Sequence, residues 1–341
     1  MGSQDKLIRV GDSDWAKEIP RKKLSTPYNL TEKLSWLKNN LVGPSKKFKN
    51  LTSFIPQKST LNEITPKCRL GFLGDIMKMN NKDLQIDPAI KSFFQDVDFL
   101  VGNFEGTISK AKKVFMVQEH TEGILSSLET LFPPSKFALS CANNHSGDFG
   151  WSEFNKSYQI LKNHGFIVFG RRDEPSILLN DSVNITNCTA WSNQPNTPYV
   201  GYLDQATAFF NPKVECNILY PHWGYEMQLY PNPKQIELGK DLLKQWALIV
   251  GHHSHVPQPI TSYEMNHSNQ LLAYGLGDFS TGLGLKKYQN GIVVKLDLGS
   301  SKTGQWEVGT VEWKFTRVHE IDKNHMEVKL EDECDYFKKR T

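Results

Sequence analysis

No stretch of this chain approaches the ~18 consecutive apolar residues that a membrane-spanning helix needs, and the first 30 residues hold no apolar segment of the signal-peptide kind. The reading is a chain without a spanning helix, cytoplasmic unless an export signal or anchor has been removed. Cysteine is sparse and unpatterned. Cys68, Cys141, Cys188, Cys216 and Cys334 are odd in number and contain no CxxC pair, which excludes a zinc ribbon and a disulfide framework and favours reduced, buried thiols. Charge of either sign is in small excess only: 40 Lys and Arg against 37 Asp and Glu. That balance gives no reason to expect a specific nucleic-acid partner.

The charge is unevenly placed. Residues 1–67 carry 13 Lys or Arg and 6 Asp or Glu. They read as a polar, basic extension with one helix over about Thr31 to Leu41, capped by Thr31 and striped by Leu30, Leu34, Leu37 and Leu41. A solvated extension is the plain reading. Peripheral contact with an anionic membrane or a polyanion is the functional one.

From Cys68 onward, short apolar strands alternate with helical stretches, which points to a layered α/β domain. One helix follows Ser152 as its expected cap. Another runs from about Pro233 to Trp246 and feeds a strand at Ala247–Val250. After residue 270 the pattern becomes all strand. Residues 321–341 are charged and read as a peripheral tail.

The chemistry gathers where strands end. Leu70-Gly-Phe-Leu-Gly-Asp75 ends on a carboxylate, and Asp98-Phe-Leu-Val-Gly-Asn-Phe-Glu105 on Asn103 and Glu105. Phe137-Ala-Leu-Ser-Cys-Ala-Asn-Asn-His145 ends on Asn144 and His145, Ile218-Leu-Tyr-Pro-His222 on His222, and Leu248-Ile-Val-Gly-His-His-Ser-His255 on His253 and His255. Ligands of open α/β sheets collect at the carboxyl ends of strands. Asp, Glu, Asn and His are the N/O donors of divalent ions. Each acidic strand end alone is commonplace, and a lone His222 would ordinarily be a hydrogen-bonded core residue. Three histidines within four residues, at 252, 253 and 255, argue for metal. His252 could equally stand behind the ligands. His145, directly after Asn144, suits proton donation beside a cation. Asp148 would orient it or cap the next helix.

In order along the chain stand Gly74-Asp75, Asn103-Phe-Glu-Gly106, Ala142-Asn-Asn-His-x-x-Asp-x-Gly150, His222-Trp-Gly-x-Glu226, Gly251-His-His-x-His-Val256 and Tyr274-x-Leu-Gly-Asp-Phe279. This set resembles the CapA (PgsA-like) family of poly-γ-glutamate capsule synthesis proteins, within the calcineurin-like metallophosphatase superfamily, over roughly residues 68–285. The resemblance implies a four-layer αββα sandwich over residues 68–320. It implies one or two divalent ions (Mn, Fe or Zn) on Asp75, Glu105, Asn144, His222, His253 and His255, with His145 as proton donor. It also implies phosphoester-type hydrolysis of an anionic substrate. Two other roles stay open: a non-hydrolytic factor for poly-γ-glutamate assembly or export, and a metal-dependent γ-glutamyl amide hydrolase. Contact with capsule machinery would follow from the first. Met77 occupies the position of a histidine in the superfamily, so the first metal site is expected to be the weaker. Asp278 stands where the family usually shows Asn.

Overall fold

The computed structural model describes residues 15–19, 26–111, 116–194, 198–265 and 267–338. The chain opens with α1 (Leu30–Val42), β1 (Lys58–Thr60), β2 (Ile64–Ile76), β3 (Asp83–Ile86), α2 (Pro88–Phe93), β4 (Phe99–Phe104), β5 (Thr107–Ile108) and β6 (Glu119–His120). It continues with α3 (Gly123–Leu131), β7 (Phe137–Ser140), α4 (Gly150–Asn163), β8 (Ile167–Phe169), β9 (Ser176–Leu179), β10 (Val183–Thr189) and β11 (Cys216–His222). It closes with α5 (Pro233–Leu243), β12 (Leu248–Val250), β13 (Ile260–Met265), β14 (Ser268–Ala273), β15 (Asp278–Ser280), β16 (Asn290–Ser301), β17 (Trp306–Glu320) and β18 (His325–Glu331).

Two sheets organise these elements. The larger runs β3-β18-β17-β16-β2-β4-β7-β8, with β1 added on β17 and β15 on β2; the smaller runs β13-β14-β12-β11-β10-β9. The period-two alternation of each strand sends neighbouring side chains to opposite faces. Leu70 and Phe72 of β2 meet Ile218, Tyr220, Leu248 and Val250 of the smaller sheet in a core between the sheets. Leu73, one step along, faces outward into a core completed by Ile90, Leu125, Leu128, Phe154 and Leu161 of α2, α3 and α4. On the far side, Leu219, Ile249 and Leu272 pack with Leu243, Trp223 and Trp246 near α5. Three apolar layers between helix, sheet, sheet and helix make an αββα sandwich.

The helix boundaries differ from expectation for identifiable reasons. Asn29, not Thr31, caps α1, through a reciprocal box with Glu32 (3.0 and 2.8 Å). Ser152 lies in the first turn of α4 rather than at its cap. The Glu18 carboxylate accepts from the backbone N–H of Trp151 and of Ser152, at 3.1 and 2.6 Å, so an anion from far upstream closes that terminus. Pro233 opens α5 behind the Asn232 cap, and the helix ends at Leu243, before Trp246.

Two segments expected at the periphery join the large sheet. Residues 325–331 form β18, between β17 and β3, with Met326 and Val328 fully buried. Beyond it Cys334 is buried, and the Phe337 ring meets that of Phe54 at 4.9 Å. The stretch 321–341 therefore contains core strand as well as charged surface; its alternating apolar residues were hidden among Glu and Lys. At the other end, β1 pairs with β17, Phe54 stacks on Trp313 at 5.1 Å, and β2 begins at Ile64, before Cys68. The basic extension thus contributes both sheet and core contacts from residue 54 onward.

Candidate metal centre

Strand register delivers the functional residues. In the large sheet Asp75 of β2 pairs with Asn103 of β4 on one side and with Asp278 of β15 on the other. Gly74 permits this approach, since a Cβ there would lie 2.1 Å from the carbonyl oxygen of Gly277. In the smaller sheet, His222 ends β11 and bridges to His252 at the end of β12. The carboxyl ends of both sheets converge, and Asp75, Glu105, Asn144, His222, His253 and His255 are all buried there.

Glu105 occupies the centre. Its Oε1 lies 3.7 Å from Nε2 of His255, 3.7 Å from Nε2 of His145 and 3.9 Å from Nε2 of His222. Neither carboxylate oxygen accepts a hydrogen bond among the described residues. A buried, unpaired carboxylate is costly and normally neutralises or takes a cation. Burial pushes its pKa well up, His255 opposes the shift, and Asp75, Asp278 and Glu226 add to it.

Two donor groups share this carboxylate. Asp75, Glu105 and His255 place one ligand atom each within 4.8 Å of one another, and so do Glu105, His222 and His253. Asn144 adds an oxygen to the second group, its Oδ1 lying 2.7 Å from Nε2 of His222. Burial, reinforced by the neighbouring imidazoles, pushes His222 and His253 well below the usual histidine range. They are therefore the neutral rings that ligation requires. His255 behaves oppositely. Burial works against its charge, yet Asp278 and Glu105 hold its proton and raise it well above the usual value. Its Nδ1 stands 2.9 Å from Oδ1 of Asp278, which turns Nε2 toward Glu105. Asp278 is itself pushed up to about 7 by burial, against the pull of His255.

The histidine turn is strained to achieve this. His253 has φ of 95° and His255 of 54°, a region that costs a non-glycine residue about 1–3 kcal/mol when surroundings enforce it. The backbone N–H of His253 donates to Oδ2 of Asp75 at 3.1 Å, one of the contacts that hold the turn. His252 groups with Asp75 and His222 rather than with the shared carboxylate. Its ring lies 4.0 Å from that of Tyr220, its Nδ1 3.7 Å from Oδ1 of Asp75, and burial takes it down to about 3.

His145 and Asp148 form a pair beside the donors. Nδ1 of His145 is 2.6 Å from Oδ2 of Asp148, which also accepts from the backbone N–H of Gln118 at 3.0 Å. With its Nδ1 proton held there, Nε2 faces Glu105 and the space over the centre. Met77 is buried, and its backbone N–H donates to Ser280. The first donor group therefore holds no second histidine of the DxH kind.

Four further residues complete the site. Asn103 donates to Oδ1 of Asp75 at 2.8 Å and lies 3.3 Å from Nδ1 of His222, tying the two sheets together. The backbone N–H of Asn193 donates to the backbone carbonyl of Asn144 at 2.9 Å. Glu226 groups with His253 and His255 and accepts from the Trp36 indole at 2.7 Å. Tyr28 lies over the histidine turn, its Oη 3.4 Å from Nε2 of His253 and its ring stacked on Tyr225 at 5.0 Å. Asn103 and Glu226 lie inside recognisable sequence motifs. Nothing local marks Tyr28 or Asn193.

A buried carboxylate that accepts no hydrogen bond among the described residues, ringed by neutral imidazoles, an amide oxygen and a second carboxylate, fits one or two divalent ions of the borderline or hard kind. The sequence model described as "Bacterial capsule synthesis protein PGA_cap" matches residues 69–178 and 187–282, well over half the chain. The chain belongs to that family. Among curated proteins it is 25% identical over 275 residues to the PGA biosynthesis protein CapA of Bacillus subtilis (strain 168), covering 71% of this chain and 70% of that one. It is 23% identical over 292 residues to the capsule biosynthesis protein CapA of Bacillus anthracis, covering 74% and 68%. Both matched segments of the PGA_cap family model carry site residues: Asp75 to Asp148 in the first, His222 to Asp278 in the second. Among the described residues no helix is long and apolar enough to cross a membrane.

Proposed function

We propose that this chain serves poly-γ-glutamate capsule formation as a metal-dependent hydrolase of the phosphoesterase type. The observation that carries the reading is Glu105, a buried carboxylate that accepts no hydrogen bond among the described residues and belongs to two donor groups, with the His145–Asp148 pair alongside. The names of the two CapA relatives support the biological setting. One ion would be held by Asp75, Glu105 and His255, a second by Glu105, Asn144, His222 and His253. Bound there, a divalent ion supplies positive charge against phosphoryl oxygens and acidifies water.

This chain's own residues do the rest. Asp148 keeps the proton of His145 on Nδ1, so Nε2 is the atom that exchanges a proton with the reacting group. When that ring carries both protons, Asp148 stabilises the imidazolium; Nε2–H is then given to the departing oxygen, leaving a neutral imidazole with its proton on Nδ1 against Asp148. Asn103 and the Asp75 carboxylate fix the geometry between the sheets. Tyr28 and Trp36 contact the site's edge, through His253 and Glu226 respectively.

A second reading follows from the word PGA in a relative's name: hydrolysis of γ-glutamyl amide bonds, which needs the same polarisation of a carbonyl. Assay of the Mn-loaded protein on a panel of phosphomonoesters, phosphodiesters and γ-glutamyl peptides separates the two. Metal-dependent phosphate release, lost in Glu105→Gln, is expected. Cleavage confined to γ-glutamyl peptides transfers the proposal to the amide reading. No cleavage of either class contradicts both and leaves a non-hydrolytic assembly role.

A further inference from the structure

Helix α1 is amphipathic in the reverse sense to a packed surface helix. The side turned to the body is polar and aromatic. Asn39 is buried, the Trp36 indole donates to Glu226, and Glu32 accepts from the Tyr225 hydroxyl at 2.8 Å. The side turned to solvent is leucine. Leu30, Leu34, Leu37 and Leu41 are 75, 60, 48 and 77% exposed, and Val42 is 80% exposed. Of the eleven large apolar side chains exposed among the described residues, six fall between positions 30 and 51, Leu51 being the sixth. That concentration marks an interaction surface rather than scattered exposure.

We propose that this face docks on an anionic lipid membrane. Charge selects that occupant. Between positions 30 and 51 stand five lysines, Lys33, Lys38, Lys46, Lys47 and Lys49, and one acid, Glu32, which the helix cap and Tyr225 already engage. All five lysines are exposed. At 100° per residue, Lys33 and Lys38 lie about 70° to either side of the leucine stripe. Apolar centre and cationic flanks are the profile of a helix lying in the headgroup plane, its lysines reaching up to phosphates while the leucines enter the acyl boundary. At thirteen residues α1 is about 20 Å long, too short to span a bilayer and suited to lie along it. Because Tyr28 and Trp36 reach His253 and Glu226 from this same segment, docking would set that side of the metal centre toward the lipid surface. The surface does not depend on what that centre catalyses.

Co-sedimentation of the full chain with vesicles tests the proposal, using phosphatidylcholine alone and phosphatidylcholine with added phosphatidylglycerol. Binding to the mixed vesicles is expected, weakening as salt is added, with little binding to phosphatidylcholine. Lys33→Gln and Lys38→Gln should each weaken it about fivefold. Leu34→Ser combined with Leu37→Ser should weaken it at least about tenfold; both positions are exposed, so folding is spared. Absence of binding to anionic vesicles overturns the proposal. So does binding that the leucine changes leave intact. Self-association that those same changes abolish, with no vesicle binding, would instead assign the face to a second copy of this chain.

Discussion

Glu105 and His255 face each other across the middle of the site, Oε1 to Nε2, at 3.7 Å, and no hydrogen bond from the described residues reaches either oxygen of Glu105. An attraction between charges cannot by itself satisfy a buried carboxylate, because its lone pairs remain unpaired. The first expectation is therefore of different effects with and without metal. Glu105→Gln should abolish tight metal binding. Freed of metal by chelation, the same variant should be no less stable than the unaltered chain, since the desolvation that burial imposes on the Glu105 carboxylate, and that raises its pKa, has gone. Thermal unfolding with and without Mn checks both halves. A chelated variant less stable than the unaltered protein would mean that Glu105 has partners of its own.

His145→Ala should keep its metal and lose turnover by about two to four powers of ten, the usual worth of a general acid. Asp148→Asn should act in the same direction by freeing the ring tautomer. Metal content and rate measured on one preparation decide it. Loss of metal in His145→Ala would make His145 a ligand.

Met77 leaves the Asp75–Glu105–His255 group with three donors, whereas the other has Glu105, Asn144, His222 and His253. One tightly held ion per chain and one weaker ion are expected, and Met77→His should strengthen the weaker. Metal analysis after dialysis provides the check. Two equally tight ions in the unaltered protein would require a further donor, for which Asp278, 2.9 Å from His255, and Glu226, which groups with His253 and His255, are the candidates.

His120 carries a pH dependence separate from the ligands. Its Nε2–H donates to the backbone carbonyl of Glu105 at 2.8 Å, and its ring lies 4.2 Å from that of Phe104. Burial takes it down to about 4 against the ordinary 6.5. The depressed group binds fewer protons in the folded than in the unfolded chain between those values. The stability it contributes is full above pH 6.5 and is lost as pH falls toward 4. His120→Gln should remove about one proton from the uptake that accompanies unfolding in that window. Denaturant unfolding at a series of pH values measures it; an unchanged pH slope would mean the ring is protonated in the fold.

Much of this arrangement is legible in the sequence because apolar runs ending in polar clusters announce strand ends, and period-two alternation assigns their faces. Asp75, Glu105, His222 and the His253-Ser-His255 turn stand out for that reason. What is not legible depends on distant chain segments meeting. Glu18 closes a helix more than a hundred residues downstream, and Tyr28 meets His253 from the far end of the sequence; no local pattern encodes either. Residues 325–331 mislead for a different reason. Met326, Val328 and Leu330 alternate like any strand, but the Glu and Lys between them give the segment the composition of a tail. In α1 the leucine periodicity correctly marks a helix, yet the helix presents that stripe to solvent and holds the body with Trp36 and Glu32.

The central claim is that Glu105 is the shared carboxylate of a two-ion centre. Anomalous diffraction from a crystal of the Mn-loaded protein tests it most directly. The account predicts two peaks, one on each side of Glu105 and each within about 2.0–2.3 Å of its donors. The stronger should lie against Asn144, His222 and His253, the weaker against Asp75 and His255. A map with no peak beside Glu105, or with its metal elsewhere, would contradict it.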